Sequence, residues 1–237
     1  MLWPELTEGI LIKRYKRFLA DIDFDGHVET VHCPNPGAMT GLKSEGMRVW
    51  CSTSDNPNRK LKKTLEIVEA DDTLVGINTN LPNKLTHEAL IHQVIPAFAD
   101  YPIITPEFTY EKGTRFDFKL ESDNNAPPLM LEVKNVHLAR PDGPNPSAVE
   151  FPDSVTTRGA KHLNILAEIA RSGGKAAMLY VIQRGDGEYF TLADDIDPNY
   201  AEAFIAARQA GVAIHAWQCH IDLNTIEIST ELPVRYR

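Results

Sequence analysis

From Arg115 to Lys134 apolar and polar residues alternate in two runs, RFDFKL and LMLEVKNV, separated by Ser122, Asp123, Asn124, Asn125 and the Pro127-Pro128 pair. A period of two is that of a strand with one buried face. Two such runs around a polar, proline-bearing turn predict an antiparallel hairpin. Arg115, Asp117 and Lys119 then share one face, with Phe116, Phe118 and Leu120 on the other. Glu132 and Lys134 point one way, Leu131 and Val133 the opposite way. In suitable register Asp117, Glu132 and Lys134 meet on one surface.

Upstream the pattern is of short strands broken by turn residues. Residues 10–20 read as one long strand, residues 27–33 as a second after the Asp25-Gly26 turn, and residues 47–53, 64–70 and 74–78 as three more. The stretch PNPGAMTG, from Pro34 to Gly41, excludes regular structure and predicts a tightly specified loop. About five short strands hide their edges most simply by closing into a small barrel, and the OB-fold is the common architecture of that size. Residues 80–83 mark a junction, dividing the chain into an OB-fold-like part over 1–82 and a second domain over 83–237.

The second domain reads helix, antiparallel strands, loop, helix, strand, helix, strand, an α/β layering on a mixed sheet. In its first helix, which Thr86 can cap, Leu85, Glu88, Ile91 and Ile95 fall at i, i+3, i+6 and i+10, so Glu88 interrupts an apolar stripe. An inward carboxylate is costly unless something pairs with it. Glu88 is therefore expected to approach the hairpin carboxylates from above, the plain alternative being an exposed helical glutamate. Residues 140–152 hold Pro141, Pro144, Pro146 and Pro152 and read as a long irregular loop beside the hairpin. The helix over 155–172 buries Leu163, Leu166, Ala167 and Ala170 and sets Arg158, Lys161 and His162 along another edge. A central strand over 175–183, a helix from Asp197-Pro198 to Gly211, a strand over 212–220 and an edge strand over 226–229 complete the chain.

With 237 residues and 43% hydrophobic content the chain can bury a sizeable core in one or two domains. No apolar run has the length of a membrane span, and Glu5 and Glu8 close behind Trp3 and Pro4 do not make a signal peptide. The expectation is a soluble chain with no membrane partner. Cys33, Cys51 and Cys219 are too few and too scattered for a disulfide framework, which fits a reducing cytoplasm. The net charge of −9 argues mildly against non-specific attraction to nucleic acid.

The basic residues are nevertheless bunched. Lys13, Arg14, Lys16 and Arg17 surround Tyr15 and Phe18, and Arg59, Lys60, Lys62 and Lys63 precede the fourth strand. On a barrel these two clusters would form a groove for a phosphate backbone, with Tyr15 or Trp50 as a stacking surface. The alternative is ordinary edge protection around a core Trp50. Arg158 and Lys161, near a helix N-terminus, can hold an anionic backbone or simply be solvated. Two close carboxylates repel unless a cation sits between them, and such oxygen ligands suit a hard ion, Mg²⁺ or Mn²⁺. Asp117, Glu132 and Glu88 are the candidate ligands, and Lys134 is placed to orient a water or stabilise developing charge. A solvated surface hairpin is the competing reading.

The order helix with Glu88, strand with Asp117, strand with Glu132-x-Lys134 and helix with Lys161 resembles the PD-(D/E)XK nuclease superfamily, the restriction-endonuclease-like fold. More closely, RYKRFLAD from Arg14, HCPNPGAMTG from His32, STSDNPNRK from Ser52, NTNLPNKLTHEA from Asn78, RFDF from Arg115, EVKNV from Glu132 and FPDSVTTRGAKHL from Phe151 resemble the sugar fermentation stimulation protein family. These blocks span most of the chain. The resemblance implies an N-terminal OB-fold joined to a PD-(D/E)XK domain, DNA binding, and a link to expression of maltose-utilisation genes. It also implies Asp117 and Glu132 as metal ligands, Lys134 beside the attacking water and Glu88 as an auxiliary carboxylate. Phe116 stands where the superfamily carries a proline. Three functions follow as expectations: a Mg²⁺-dependent nuclease on DNA or RNA, a non-cutting DNA-binding regulator, and a hydrolase of a small phosphate ester. Strandedness and a homodimeric state stay open.

Overall fold

The computed structural model describes residues 1–111, 113–123 and 126–236. Of the expected hairpin turn, Asn124 and Asn125 lie outside the described residues.

The N-terminal strands close into a barrel. Strand β1 (Leu6–Tyr15) pairs antiparallel with β2 (Leu19–Phe24) and with β4 (Arg48–Thr53). Strand β3 (His27–His32) follows β2, and β5 (Lys63–Ala70) pairs with β4. His32 opposite Thr64 joins β3 to β5 in parallel, so five strands form a closed ring. Strand β6 (Thr73–Gly76) pairs only with β5 and stands outside that ring. The five expected strands are thus not the five of the barrel. The single strand expected over residues 10–20 is two, and the last expected strand is the appended one.

The break falls at Lys16 and Arg17, whose φ angles of 47° and 62° put two consecutive non-glycine residues in the left-handed region. Tyr15 pairs with Leu19 across this three-residue loop, a length that hairpins favour. No Gly, Pro or Asn announces the turn, which is why the apolar pattern ran straight through it. Leu11, Ile22, Val31, Val49, Leu65 and Val68 fill the barrel interior.

The second sheet runs β15-β14-β12-β9-β8-β7. Its strands are β7 (Ile103–Glu111), β8 (Thr114–Glu121), β9 (Leu129–Val136), β12 (Lys175–Ile182), β14 (Ala213–Ile221) and β15 (Ile226–Glu231). The central trio β9, β12 and β14 is parallel and the flanks are antiparallel. The Arg140–Pro152 region, expected to be wholly irregular, contributes β11 (Ala148–Phe151) to a small sheet with β10 (Leu138–Ala139) and β13 (Tyr189–Leu192).

Helices α2 (Thr157–Arg171) and α3 (Pro198–Ala210) cover one face of the large sheet. Thr156 caps α2 by accepting from Gly159 N. Asp197 caps α3 by accepting from Tyr200 N, and Gly211 ends α3 with φ 100°. The opposite face is covered by α1 (Pro82–Ile91) and by the outer wall of the barrel, where Trp3, Trp50 and Ile67 join Leu85, Phe118, Leu131 and Leu179 in one core. Among the described residues no helix is long and apolar enough to cross a membrane.

Helix α1 buries Pro82, Leu85, Thr86 and Ala89, a clean i, i+3, i+4, i+7 face. Its phase therefore differs from the expected stripe. Ile91 is 56% exposed, Glu88 lies outside, and Thr86 is a buried residue inside the helix instead of its cap.

Candidate functional site

Strands β8 and β9 pair only from Phe118↔Leu131 to Leu120↔Leu129, and beyond Phe118 they part. Phe116 packs on the α2–α3 side, whereas Phe118 and Leu120 pack on the α1 side, so the chain swivels at Asp117 and the expected common face of Phe116 and Phe118 is lost. Asp117 fills the opening. Its Oδ2 accepts from Val133 N at 2.7 Å, standing in for a missing strand partner. Its Oδ1 accepts from Asn83 Nδ2 at 2.7 Å, which ties it to α1.

Glu132 is buried on the α2 side of the same opening. Its Oε1 accepts from Lys134 Nζ at 2.5 Å and is bonded to His162 Nδ1 of α2. Its Oε2 is buried and has no hydrogen-bond partner among the described residues. Burial opposes ionisation of Glu132 more than any other single influence, yet the His162 hydrogen bond and the Lys134 charge together outweigh it and hold the carboxyl below its ordinary value. Asp117 goes the other way. Burial, and then the Glu132 charge, raise its pKa more than Val133 N–H and Asn83 lower it.

Asp117, Glu132 and Lys134 therefore do converge, and Glu88 does not join them. The Glu88 carboxylate is 2.9 Å from the amino terminus of Met1 and 41% exposed. From Asn83 to Glu88 is roughly 7.5 Å along α1 and about 140° around it, which points the glutamate away from the hairpin. Asn83 holds the position over Asp117 that was expected of Glu88. Among the described residues no set of three or more His, Cys, Asp and Glu side chains is arranged to hold a metal by itself. The donor set that remains is Asp117 and Glu132, all-oxygen and hard. A buried carboxylate oxygen without a donor is costly in a native structure, and a divalent cation is the group that suits Glu132 Oε2 beside a second carboxylate.

The basic clusters divide by partner. Lys13 pairs with Asp21 at 3.3 Å and lies over Tyr15, whose hydroxyl also bonds Asp21. Arg14 donates to the carbonyls of Asn35 and Gly37 at 2.7 and 2.9 Å and so braces the PNPG loop. Arg59 bonds His32 and Thr64, Lys62 bonds the Asn56 and Pro57 carbonyls, and Lys63 pairs with Glu29. Trp50 is in the core. Tyr15 and Trp50 are thus committed within the fold, contrary to the expectation that one of them offers a stacking face. Lys16, Arg17, Lys60, Arg158 and Lys161 form no ion pair with the described residues.

A cleft of about 610 Å³ lies between the PNPG loop of the barrel and the segment leading into α2. Arg17 lines one side, and Asn135 and His137, just past Lys134, line its floor. Asp153 bridges the two lobes there. It accepts from Met39 N at 3.2 Å and sits 3.4 Å from His137 Nε2, while Asn135 meets the other ring nitrogen at 2.9 Å. A Cβ on Gly37 would lie 2.3 Å from Asp153 Oδ2, so only glycine lets the loop approach this closely. Asn83, His137 and Asp153 carry no role in the sequence pattern, and His162, expected beside Arg158 and Lys161 on a helix edge, turns instead to Glu132. Asn83, in NTNLPNKLTHEA, and Asp153 and His162, in FPDSVTTRGAKHL, all lie in stretches that run into a helix start, where an inward-facing polar side chain is the available signal.

Burial works against the Asp153 charge, but His137 and the Met39 and Ser154 donors lower its pKa from the ordinary 3.8 to about 2. A depressed carboxyl stabilises the fold above its unfolded value and loses that contribution as pH falls through the folded one. Wild type should therefore lose roughly 2 kcal/mol between about pH 4 and pH 2 that Asp153→Asn does not lose. Urea titrations of both proteins across that range measure the difference, and parallel curves would contradict the bridge.

The chain matches the sugar fermentation stimulation protein RE domain over residues 80–225 and the SfsA N-terminal OB domain over residues 12–77. It belongs to the sugar fermentation stimulation protein family. A homologue of that name from Brucella anthropi is 46% identical over 97% of both chains, and one from Brucella ovis is 45% identical over 99% of this chain and 97% of the relative. The structure of Pyrococcus furiosus SfsA in complex with Ca²⁺ superposes with a TM-score of 0.88, covering 100% of this chain and 98% of that one, at 23% identity. At that identity the likeness shows the fold: the expected OB barrel followed by a mixed-sheet α/β domain is the architecture of the family.

Proposed function

We propose that this family member is a metal-dependent phosphodiesterase acting on nucleic acid, DNA in the first instance and RNA as the alternative polymer, in the reducing cytoplasm. The observation that carries the reading is the buried, donor-free Glu132 Oε2 beside Asp117. The Ca²⁺ complex of the Pyrococcus relative supports a divalent cation in this family, and Mg²⁺ or Mn²⁺ is the ion proposed here.

Asp117 and Glu132 would hold the ion, which when bound polarises a phosphodiester and makes a water acidic. Val133 N–H and Asn83 fix the Asp117 carboxylate, and His162 fixes that of Glu132. Lys134 Nζ, anchored by Glu132, keeps further N–H donors for a phosphoryl oxygen as charge develops on it. Arg158 and Lys161, exposed on the first turns of α2, lie where they can grip the backbone of the bound strand.

The test is cleavage of single- and double-stranded DNA and RNA with Mg²⁺ or Mn²⁺. Lys134→Ala should lower the rate about 10²–10³-fold, the usual loss for a preorganised donor. Equal cutting by wild type and variant would remove this proposal.

A second reading, a DNA-binding protein that no longer cuts, has one observation in its favour. Glu132 Oε1 is already shared by Lys134 and His162, and among the described residues no third carboxylate joins the pair. It predicts salt-dependent binding without metal-dependent turnover.

A further inference from the structure

The aromatic residue that the barrel leaves open is Phe18, 46% exposed at the tip of the β1–β2 loop. Its ring stacks on His32 of β3, with centroids 6.5 Å apart and planes 24° from parallel. Arg59, from the loop between β4 and β5, reaches the edge of the same imidazole, Nη2 lying 3.2 Å from His32 Nδ1. Burial and then the Arg59 charge lower the His32 pKa, so the ring behind Phe18 is neutral at physiological pH. The loop after the first strand and the loop before the fifth are the two through which OB barrels engage oligonucleotides, and here a stacked Phe18–His32 pair, hydrogen-bonded at the imidazole edge to Arg59, joins them.

The charges around the stack are also distinctive. Lys16 and Arg17 immediately precede Phe18 and Lys60 adjoins Arg59, and none of the three is ion-paired among the described residues, whereas Lys13, Lys62 and Lys63 nearby are all engaged. Arg17 additionally lines the 610 Å³ cleft whose other wall leads into α2. A space of that size admits a nucleotide. In a duplex the faces of each base are covered by its neighbours, so an exposed ring flanked by free cations complements an unpaired base and not a paired one.

We propose that Phe18, backed by His32 and Arg59, is a stacking platform for an unpaired base of single-stranded nucleic acid, with Lys16, Arg17 and Lys60 taking the adjoining phosphates. This rests on the proposed function only for the identity of the polymer and adds the strandedness of the bound segment. From the platform the strand passes Arg17 into the cleft, towards Asn135 and the Lys134 side of β9.

Fluorescence anisotropy with the full chain in EDTA tests it, using a labelled oligothymidylate, an oligouridylate and a DNA duplex of equal length. Wild type should bind the single strands more tightly than the duplex. Phe18→Ala should weaken single-strand binding by about tenfold, as loss of one base–aromatic stack does, and leave duplex binding within about twofold. Phe18→Trp should restore it. The Phe18 backbone alone is hydrogen-bonded, so Phe18→Ala should melt with wild type; should it not, Phe18→Leu, which keeps bulk without a flat face, is read in its place. Unchanged affinity, equal losses on both forms, or a wild-type preference for the duplex would overturn the platform. Because nothing is cut in EDTA, such a result leaves the cleavage assay standing. Phe18-dependent binding by a chain that never cuts would instead sink the proposed reaction and keep the platform.

Discussion

Asp117→Asn is expected to reduce Mg²⁺-dependent cleavage by about a thousandfold or more, and at the same time to leave the metal-free protein as stable as wild type or slightly more so. The first effect follows from removing one of two anionic ligands, since transition-state stabilisation of several kcal/mol corresponds to at least three decades in rate. The second follows from the raised Asp117 pKa, for which burial is the main cause and Glu132 the next. A carboxyl with a raised folded pKa binds its proton more readily in the native state, so stability falls as pH rises from its ordinary 3.8 through the folded value. At neutral pH the ionised side chain is a cost that an amide removes. The geometry survives: Val133 N–H keeps an acceptor, and the Asn83 amide can turn to present its oxygen. Melting curves with and without Mg²⁺ check both halves. Wild type should gain stability from the ion by mass action, and the variant should gain little. A variant that melts well below wild type in EDTA would show that Asp117 is chiefly a structural hydrogen-bond acceptor.

Arg184→Met should cost about 3 kcal/mol, which for a chain of this size corresponds to a fall in Tm of roughly 6–12 °C. Arg184 is among the largest fully buried side chains. Nε and Nη2 grip Asp186 at 2.6 Å each, Nη1 donates to the His137 carbonyl at 3.1 Å, and Nη2 lies 3.4 Å from Asp71 in the turn between β5 and β6. One guanidinium thus holds the barrel, the end of β9 and the segment after β12 together. Removing one member of a buried ion pair costs about 3–5 kcal/mol. The lower end applies because Asp71 and Asp186 are 50% and 31% exposed and can turn to water once the cation is gone. Since His137 lines the cleft, cleavage should fall with stability. A drop in Tm below about 2 °C would mean the network carries little of the inter-lobe energy.

Much of this site could be read from the chain because a strand's period of two is strict. Alternation alone places Asp117, Glu132 and Lys134, and the Asp197 cap follows from its chemistry, whereas Thr156, inside the helix expected over 155–172, is in fact its cap. What failed did so for identifiable reasons. An inward Glu88 follows only if Leu85 and Ile91 share one stripe, whereas Ala89, too small to stand out in the pattern, sets the true phase of α1. Strand β7 carries Pro106, which argues locally against a strand and is tolerated at an edge, where Glu107 beside it takes φ 54°. The turn at Lys16 and Arg17 gave no compositional warning, and with it went the role of Phe18. His162 and His137 reach their partners 30 and 16 residues away in sequence, through helix packing and a loop approach that no local pattern encodes.

The common core in which Trp3, Trp50 and Ile67 pack with Leu85, Leu131 and Leu179 makes the outside of the barrel the inside of the molecule. A calorimeter should accordingly record one endotherm, because neither lobe can melt without stripping an apolar wall from the other. Chimaeras that graft a barrel from a distant cousin onto this sheet would have to import those tryptophans' counterparts together with the helix they rest on.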